Sequence, residues 1–391
     1  MKKKILFINP SLRQGGVEHS LITALKILDP EKYVITLFLY TDMTDLLSEV
    51  PDYVKVVLQP DRTRYFRKPF CIWKMTQYKL YKALGREEKA EEARKSMYAY
   101  IHRRKVAYPA ERLFADVRFD VVVSYSLHIG TEMGTKISAG RRYVLMHSSD
   151  PAYHREIIES VLGDYDKVVA VSDSVAEIYR ENYRFLADRI MTLPNYVDAS
   201  RIRELARAGA ALPAAGDGTW VLATCGRISH EKGFDLAVSA AALLKEYGVS
   251  FRWLFIGDGA EREQVEQLAR EKKVVDEILI TGFLENPFPY VNACDIYVQP
   301  SYEEAQPLAV LEAQILGKPI VSTETVGGKT ILENGKKGVL TPLTAAGLAD
   351  GIYALLTDDG LRASFENLFR PEDGERDKQA YVAGWEALLS G

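Results

Sequence analysis

The sequence predicts an α/β fold of two doubly wound, parallel-sheet domains in series. Three observations carry that expectation. Short apolar runs, of the kind buried on both faces of a parallel sheet, alternate with stretches of helical spacing. The alternation occurs twice, on either side of an Ala- and Gly-rich stretch from Ala206 to Gly218. The length of 391 residues also favours two domains over one.

In the first half, Ile5 to Ile8 reads as a buried strand that ends at Asn9-Pro10 and enters Ser11-Leu12-Arg13-Gln14-Gly15-Gly16. A helix follows with Val17, Leu21, Leu25 and Leu28 on one face. Strand, Gly-rich loop and helix allow backbone amides to approach a diphosphate, although two glycines also suit a plain tight turn. Further strands are expected at Val34–Leu39, Val54–Leu58, Val121–Tyr125, Tyr143–Met146, Val168–Val171 and Ile190–Leu193. His147 stands at a strand end, where open parallel sheets bind ligands. Ser172-Asp173-Ser174 reads as helix capping.

The second alternation has strands at Val221–Cys225, Trp253–Ile256, Ile278–Ile280, Ile296–Val298 and Pro319–Val321. Helices are expected between them, among others Phe234–Tyr247 and Glu261–Lys272. After Cys225, Arg227 and Lys232 flank a loop leading into a helix; two cations beside a helix start suit a diphosphate, and a solvated turn is the alternative. Gly257-Asp258-Gly259 is a turn that a nucleoside can approach, with Asp258 also suited to capping the helix that follows.

Residues 299 to 321 read as strand, loop, helix, turn and strand. Glu304 lies in the loop and Glu312 eight positions on, inside a helix running from Leu308 to Leu316, with Pro307 in its first turn and Gly317 closing it. The helix start suits an anion, whereas the carboxylates suit hydroxyl groups. An anion together with hydroxyls is what a nucleotide sugar presents.

Composition sets the remaining limits. Cys71, Cys225 and Cys294 are odd in number and far apart, so no disulfide framework or zinc site is expected. No stretch approaches the length of a membrane span, and the first apolar run is too short for a signal peptide, which points to a cytoplasmic protein. The net charge of −4 hides a basic island: residues 61 to 108 hold 14 Lys or Arg against 5 Asp or Glu, a local balance of +9. Tyr65, Phe66, Phe70, Trp73, Tyr78, Tyr81, Tyr98 and Tyr100 are interleaved there, and Arg86 to Tyr100 reads as helical. The island is either a solvated insertion or a surface for anionic lipid, peripheral on the inner face of a membrane. A confined charge and a pI near 6.0 speak against nucleic acid.

Four segments together resemble glycosyltransferase family 4. Ser301 to Ala313 is similar to its Glu-x7-Glu motif, and Gly226-Arg227 through Glu231-Lys232-Gly233 resembles its donor-phosphate loop. Gly15-Gly16-Val17-Glu18 is similar to its amino-terminal Gly-Gly-x-Glu loop. Pro194-Asn195-Tyr196-Val197-Asp198 resembles its Pro-Asn-Gly-Val-Asp segment, with Tyr196 replacing the usual Gly. Ala305-Gln306-Pro307 departs from the commoner Gly-Phe-Gly after the first Glu, which leaves the sugar open.

The resemblance implies a GT-B fold: two Rossmann-like domains facing a central cleft. Residues 1–200 would form the acceptor domain, with the insertion at about 61–116. Residues 201–372 would form the donor domain, and 373–391 a helix crossing back. It implies a bacterial-type, metal-independent, retaining hexosyl transfer from a UDP-sugar or GDP-sugar to a polysaccharide or lipid-linked acceptor, with no cofactor. The expected donor-binding residues are Gly15, Gly16, Arg227, Lys232, Asp258, Gln306, Leu308 and Glu312, and the expected catalytic residues are Glu304 and His147. An isomerase or phosphorylase of the same fold, or a non-catalytic nucleotide-sugar-binding scaffold, is the competing expectation.

Overall fold

The computed structural model describes residues 2–41, 43–59, 69–90, 92–94, 96–97, 107–152, 155–209 and 218–390. Part of the basic island, with Tyr65, Phe66, Tyr98 and Tyr100, and residues 210–217 of the Ala- and Gly-rich stretch lie outside them. The chain divides into two compact units. One comprises residues up to Ala170 with Tyr179–Thr192, and the other Val171–Ile178 with Leu193–Ser390.

The first unit holds a seven-stranded parallel sheet. Its strands are β1 (Lys3–Asn9), β2 (Tyr33–Leu39), β3 (Lys55–Leu58), β4 (Phe119–Ser124), β5 (Ala139–Met146), β6 (Lys167–Ala170) and β7 (Ile190–Thr192). Their order is β3-β2-β1-β4-β5-β6-β7. All seven expected strands form, each within a few residues of its expected ends. On one side of this sheet Leu6, Ile8, Phe38 and Val122 pack with Ala110, Phe114, Met133 and Ile137.

A six-stranded parallel sheet organises the second unit. It contains β8 (Trp220–Cys225), β9 (Phe251–Ile256), β10 (Ile278–Gly282), β11 (Ile296–Gln299), β12 (Ile320–Thr323) and β13 (Val339–Thr341), in the order β10-β9-β8-β11-β12-β13. Strand alternation sends Trp253 and Phe255 to one face, against Phe234, Val298 and Leu348. Leu254 and Ile256 go to the other, against Tyr297, Val310 and Ile320. β13 has no counterpart among the expected strands. It is three residues long and follows Lys336-Lys337-Gly338, so no apolar run marks it; pairing with β12 makes it a strand.

Parallel order reverses twice: between β1 and β4, and between β8 and β11. At such a switch point the loops leaving neighbouring strands diverge and open a crevice at the carboxyl edge of the sheet. Arg227 and Lys232 follow β8, and Glu304 follows β11. Gly15 and Gly16 follow β1. The helix Leu308–Ile315 starts after Pro307, which sits one position before the first turn at φ −73° and ψ 97°. Gly317 closes that region at φ +74°, a left-handed conformation natural to glycine.

Candidate functional site

In the second unit the loops after β8 and β11 are pressed together. Gly233 has φ +65°, and a Cβ there would overlap the carbonyl oxygen of Pro300, so only glycine permits the approach. The backbone N–H groups of Tyr302 and Glu303 both donate to the carbonyl of Glu231, at 2.9 and 3.4 Å. His230 stacks on the Tyr302 ring at 5.0 Å between centroids, and the Tyr302 hydroxyl donates to Asp235 at 2.9 Å.

This contact brings Lys232 to Glu304. Lys232 Nζ lies 2.7 Å from Glu304 Oε1, with the Glu304 side chain only 7% exposed. The same oxygen accepts from Ser301 Oγ at 2.8 Å and Gln299 Nε2 at 3.0 Å. Three donors on one oxygen offset the cost of burying the carboxylate. Oε2 has no partner among the described residues. The network runs on: Gln299 Nε2 donates to Ser301 Oγ, and the Tyr297 hydroxyl donates to Gln299 Oε1 at 3.0 Å. Tyr297 also meets the backbone of Cys225 at the end of β8. Sequence reasoning missed Gln299, Ser301 and Tyr297; their only signal was a polar residue at the end of an apolar strand.

Glu312 is on the helix that follows. It is half-buried, and its carboxylate has no hydrogen-bond or ion-pair partner among the described residues. Desolvation pushes its pKa up to about 7. Burial, with the Glu312 charge adding to it, pushes the Cys225 thiol up to about 12 although Lys232 opposes the shift, so Cys225 is a neutral thiol at pH 7. No side chain caps the Leu308–Ile315 helix, which leaves its first backbone N–H groups for another acceptor.

Two expected donor residues have partners of their own. Asp258 is exposed; it accepts from the Gly259 N–H at 2.8 Å and pairs with Arg262 at 3.0 Å, which braces the entry to the helix Arg262–Glu271. Gln306 Oε1 accepts from both the backbone N–H and the side-chain amide of Asn195, at 2.9 and 2.8 Å. Gln306 Nε2 reaches back to the Asn195 carbonyl at 3.4 Å. Beside it, Tyr196 packs on Tyr381 of the helix Pro371–Ser390, 5.8 Å between ring centroids. Arg227 is exposed at the mouth of the β8 loop.

The first unit has its own organised switch point. Buried Asn9 donates to the Ser11 carbonyl at 2.8 Å and accepts from Ser126 Oγ at 3.1 Å, joining the loops after β1 and β4. Ser11 donates to Glu18 at 3.1 Å. Gly15 precedes the helix Gly16–Ile27 and Gly16 opens it; its start has no side-chain cap. His147 follows β5. Its Nε2–H donates to the Tyr125 carbonyl at 2.8 Å, so Nδ1 is left as an acceptor in the neutral ring. Desolvation lowers its pKa to about 4 against the opposing pull of that carbonyl, so the imidazole is neutral at pH 7. His128, at the end of the loop after β4, was missed; its ring meets the Tyr40 hydroxyl.

Residues 14–201 match the family model for Glycosyltransferase Family 4, and residues 213–368 match that for Glycosyl transferases group 1. A 2-deoxystreptamine N-acetyl-D-glucosaminyltransferase of Niallia circulans is 33% identical over 150 residues, 38% of this chain and 39% of the relative. The lipopolysaccharide core biosynthesis glycosyltransferase LpsE of Rhizobium meliloti (strain 1021) is 29% identical over 223 residues, 54% of this chain and 63% of the relative. The matched stretch therefore spans less than two thirds of either relative. Among solved structures, Anabaena Alr3699/HepE in complex with UDP and glucose has a TM-score of 0.69 at 18% identity, covering 99% of this chain and 98% of that one. WaaG, a glycosyltransferase involved in lipopolysaccharide biosynthesis, has a TM-score of 0.67 at 15% identity, covering 99% of this chain and 100% of that one. At these identities the likeness is one of fold.

Proposed function

We propose that this chain, which belongs to the GT-B glycosyltransferases made of a family 4 domain followed by a group 1 domain, moves a hexosyl unit from a nucleoside-diphosphate sugar to a glycan or lipid-linked acceptor. The observation that carries the reading is the meeting of a cation and a carboxylate, Lys232 and Glu304, at the switch point of the second sheet. A diphosphate needs positive charge, and a sugar needs hydroxyl acceptors.

In this reading Arg227, Lys232 and the uncapped start of the Leu308 helix stabilise the diphosphate as it leaves. Glu312 accepts from the ribose hydroxyls, and Glu304 from sugar hydroxyls through Oε2. Within the first unit, Gly15 and Gly16 offer backbone amides suited to an anion, and His147 Nδ1 is an acceptor for a hydroxyl. Transfer is retaining and needs no metal. The bond between the anomeric carbon and the phosphate oxygen breaks while the acceptor oxygen bonds to the same face. The acceptor proton passes to the departing phosphate oxygen. Glu304 is already engaged by three donors through Oε1, which disfavours it as a nucleophile and supports this same-face route over a glycosyl-enzyme.

The test is a thermal-shift screen of the full chain against UDP, GDP and ADP and then their sugars, followed by product analysis by NMR. A nucleotide sugar that raises the melting temperature and yields a product of unchanged anomeric configuration supports the proposal. Donor binding without hydrolysis or transfer to any acceptor favours a scaffold, and a sugar trapped on a side chain rules out the same-face route.

A further inference from the structure

The helix Pro69–Ala83 presents its residues in an unusual arrangement. Its sequence contains Lys74, Lys79 and Lys82 and no acidic residue. At about 100° per residue, Ile72, Trp73, Thr76, Leu80 and Ala83 fall on one arc with Pro69. That arc is the solvent side: Ile72 is 52% exposed, Trp73 53%, Leu80 54%, and Leu84 just beyond the helix 59%. Phe70, Tyr78 and Tyr81 lie on the other half and are partly buried. Exposed Lys79 borders the apolar arc, Lys82 lies further round with Nζ 5.8 Å from the Tyr78 ring centroid, and Lys74 Nζ stands 4.8 Å from the Trp73 ring centroid.

A water-facing helix normally turns its apolar residues inward; this one shows water an aliphatic and indole surface rimmed by ammonium groups. Single exposed apolar residues are ordinary, but four gathered on one arc are the mark of an interaction surface. We infer that this face docks on an anionic lipid membrane, with Ile72, Trp73, Leu80 and Leu84 in the headgroup–acyl boundary and the lysines against lipid phosphates. Charge selects this occupant. The helix itself carries three lysines and no acidic residue in a chain whose net charge is −4, so it attracts an anionic sheet and repels a second copy of itself. Neither the short apolar face nor three lysines suffices alone for stable binding, and the two together do.

Four tryptophans make the test direct. Trp253 and Trp385 are fully buried and Trp220 is partly buried, so Trp73 is the indole that changes environment on docking. The full chain, without donor, is mixed with phosphatidylcholine vesicles and with vesicles containing phosphatidylglycerol. The expected results are flotation with the anionic vesicles only and a blue shift of the emission, absent in Trp73→Phe. A drop of about tenfold or more in binding is expected for Lys74→Gln/Lys79→Gln/Lys82→Gln or in high salt. Leu80→Glu, checked for an unchanged circular dichroism spectrum and melting temperature, should abolish flotation. No flotation of wild type, equal flotation with neutral vesicles, or flotation unchanged by Leu80→Glu overturns the inference. A concentration-dependent dimer in light scattering, lost in Leu80→Glu, overturns it in favour of self-association. Because donor is absent throughout, failure here leaves the donor reading standing, and failure of the donor screen leaves this one standing.

Discussion

Lys232 and Glu304 stand 72 positions apart in the chain, on loops leaving different strands, yet their side chains meet at 2.7 Å. The pair exists because Gly233 lets the first loop lie against Pro300 of the second. Glu304 is the more buried partner, so removing its cation is the damaging change. Lys232→Ala is expected to destabilise the protein by about 2–4 kcal/mol, because Ser301 and Gln299 alone cannot neutralise a buried charge. Adding Glu304→Gln should restore most of that loss. Urea denaturation of the two single variants and the double variant checks this; equal losses in Lys232→Ala and the double variant would contradict it.

Gln306 and Asn195 form a second long-range clasp, and its geometry predicts non-additivity. Gln306→Ala and Asn195→Ala should each cost about 1 kcal/mol, and the double variant little more than either. Gln306→Glu keeps an acceptor for both Asn195 donors but sets its second carboxylate oxygen against the Asn195 carbonyl, so it should be destabilised about as much as Gln306→Ala. Were Gln306 instead a direct contact to the sugar, Gln306→Ala would raise the donor KM by the same factor whether or not Asn195 is present.

Glu312 has a folded pKa of about 7 against an ordinary 4.5, raised by desolvation. As pH rises from 4.5 to 7 the unfolded chain gives up a proton that the folded chain keeps, so stability falls across that window and levels off above it. Glu312→Gln removes the effect and should be more stable than wild type at pH 8 by about 1–3 kcal/mol, and no different at pH 4. If the carboxylate accepts from ribose hydroxyls, nucleotide affinity in the wild type strengthens as pH rises through 7, and Glu312→Gln loses that dependence. Melting curves and nucleotide titrations between pH 5 and 8.5 measure both.

His147 predicts the opposite slope. Its folded pKa is about 4 against an ordinary 6.5, lowered by burial. As pH falls from 6.5 to 4 the unfolded chain takes up a proton that the folded chain refuses, and stability drops by about 2–3 kcal/mol before levelling. His147→Gln, which can still donate to the Tyr125 carbonyl, should lack that share of the acid sensitivity. An acid melting series unchanged by the substitution would show that other groups dominate.

Much of this was legible before any coordinate. Continuous apolar runs such as Ile5–Ile8 and Trp253–Ile256 announced strands buried on both faces, and the helices between them announced parallel order. Gly-Arg after β8 and the spacing of Glu304 to Glu312 marked one region of chemistry. β13 was not legible, because three residues beside lysines carry no pattern of their own.

What the amino-acid sequence determined alone is local: element type, the glycine positions that permit close approach, and which polar residues stand at strand ends. Those follow from steric and burial preferences acting over a few residues. Tertiary structure decided the pairings. Only packing put Lys232 on the buried oxygen of Glu304, turned the Gln306 amide to Asn195, spent Asp258 on Arg262 and left Glu312 without a partner among the described residues. A side chain's partner depends on residues dozens of positions away, and its charge state on how completely they exclude water. The outward apolar face of Pro69–Ala83 belongs with these: the sequence shows lysines and aromatics, and the fold selects which of them meet solvent.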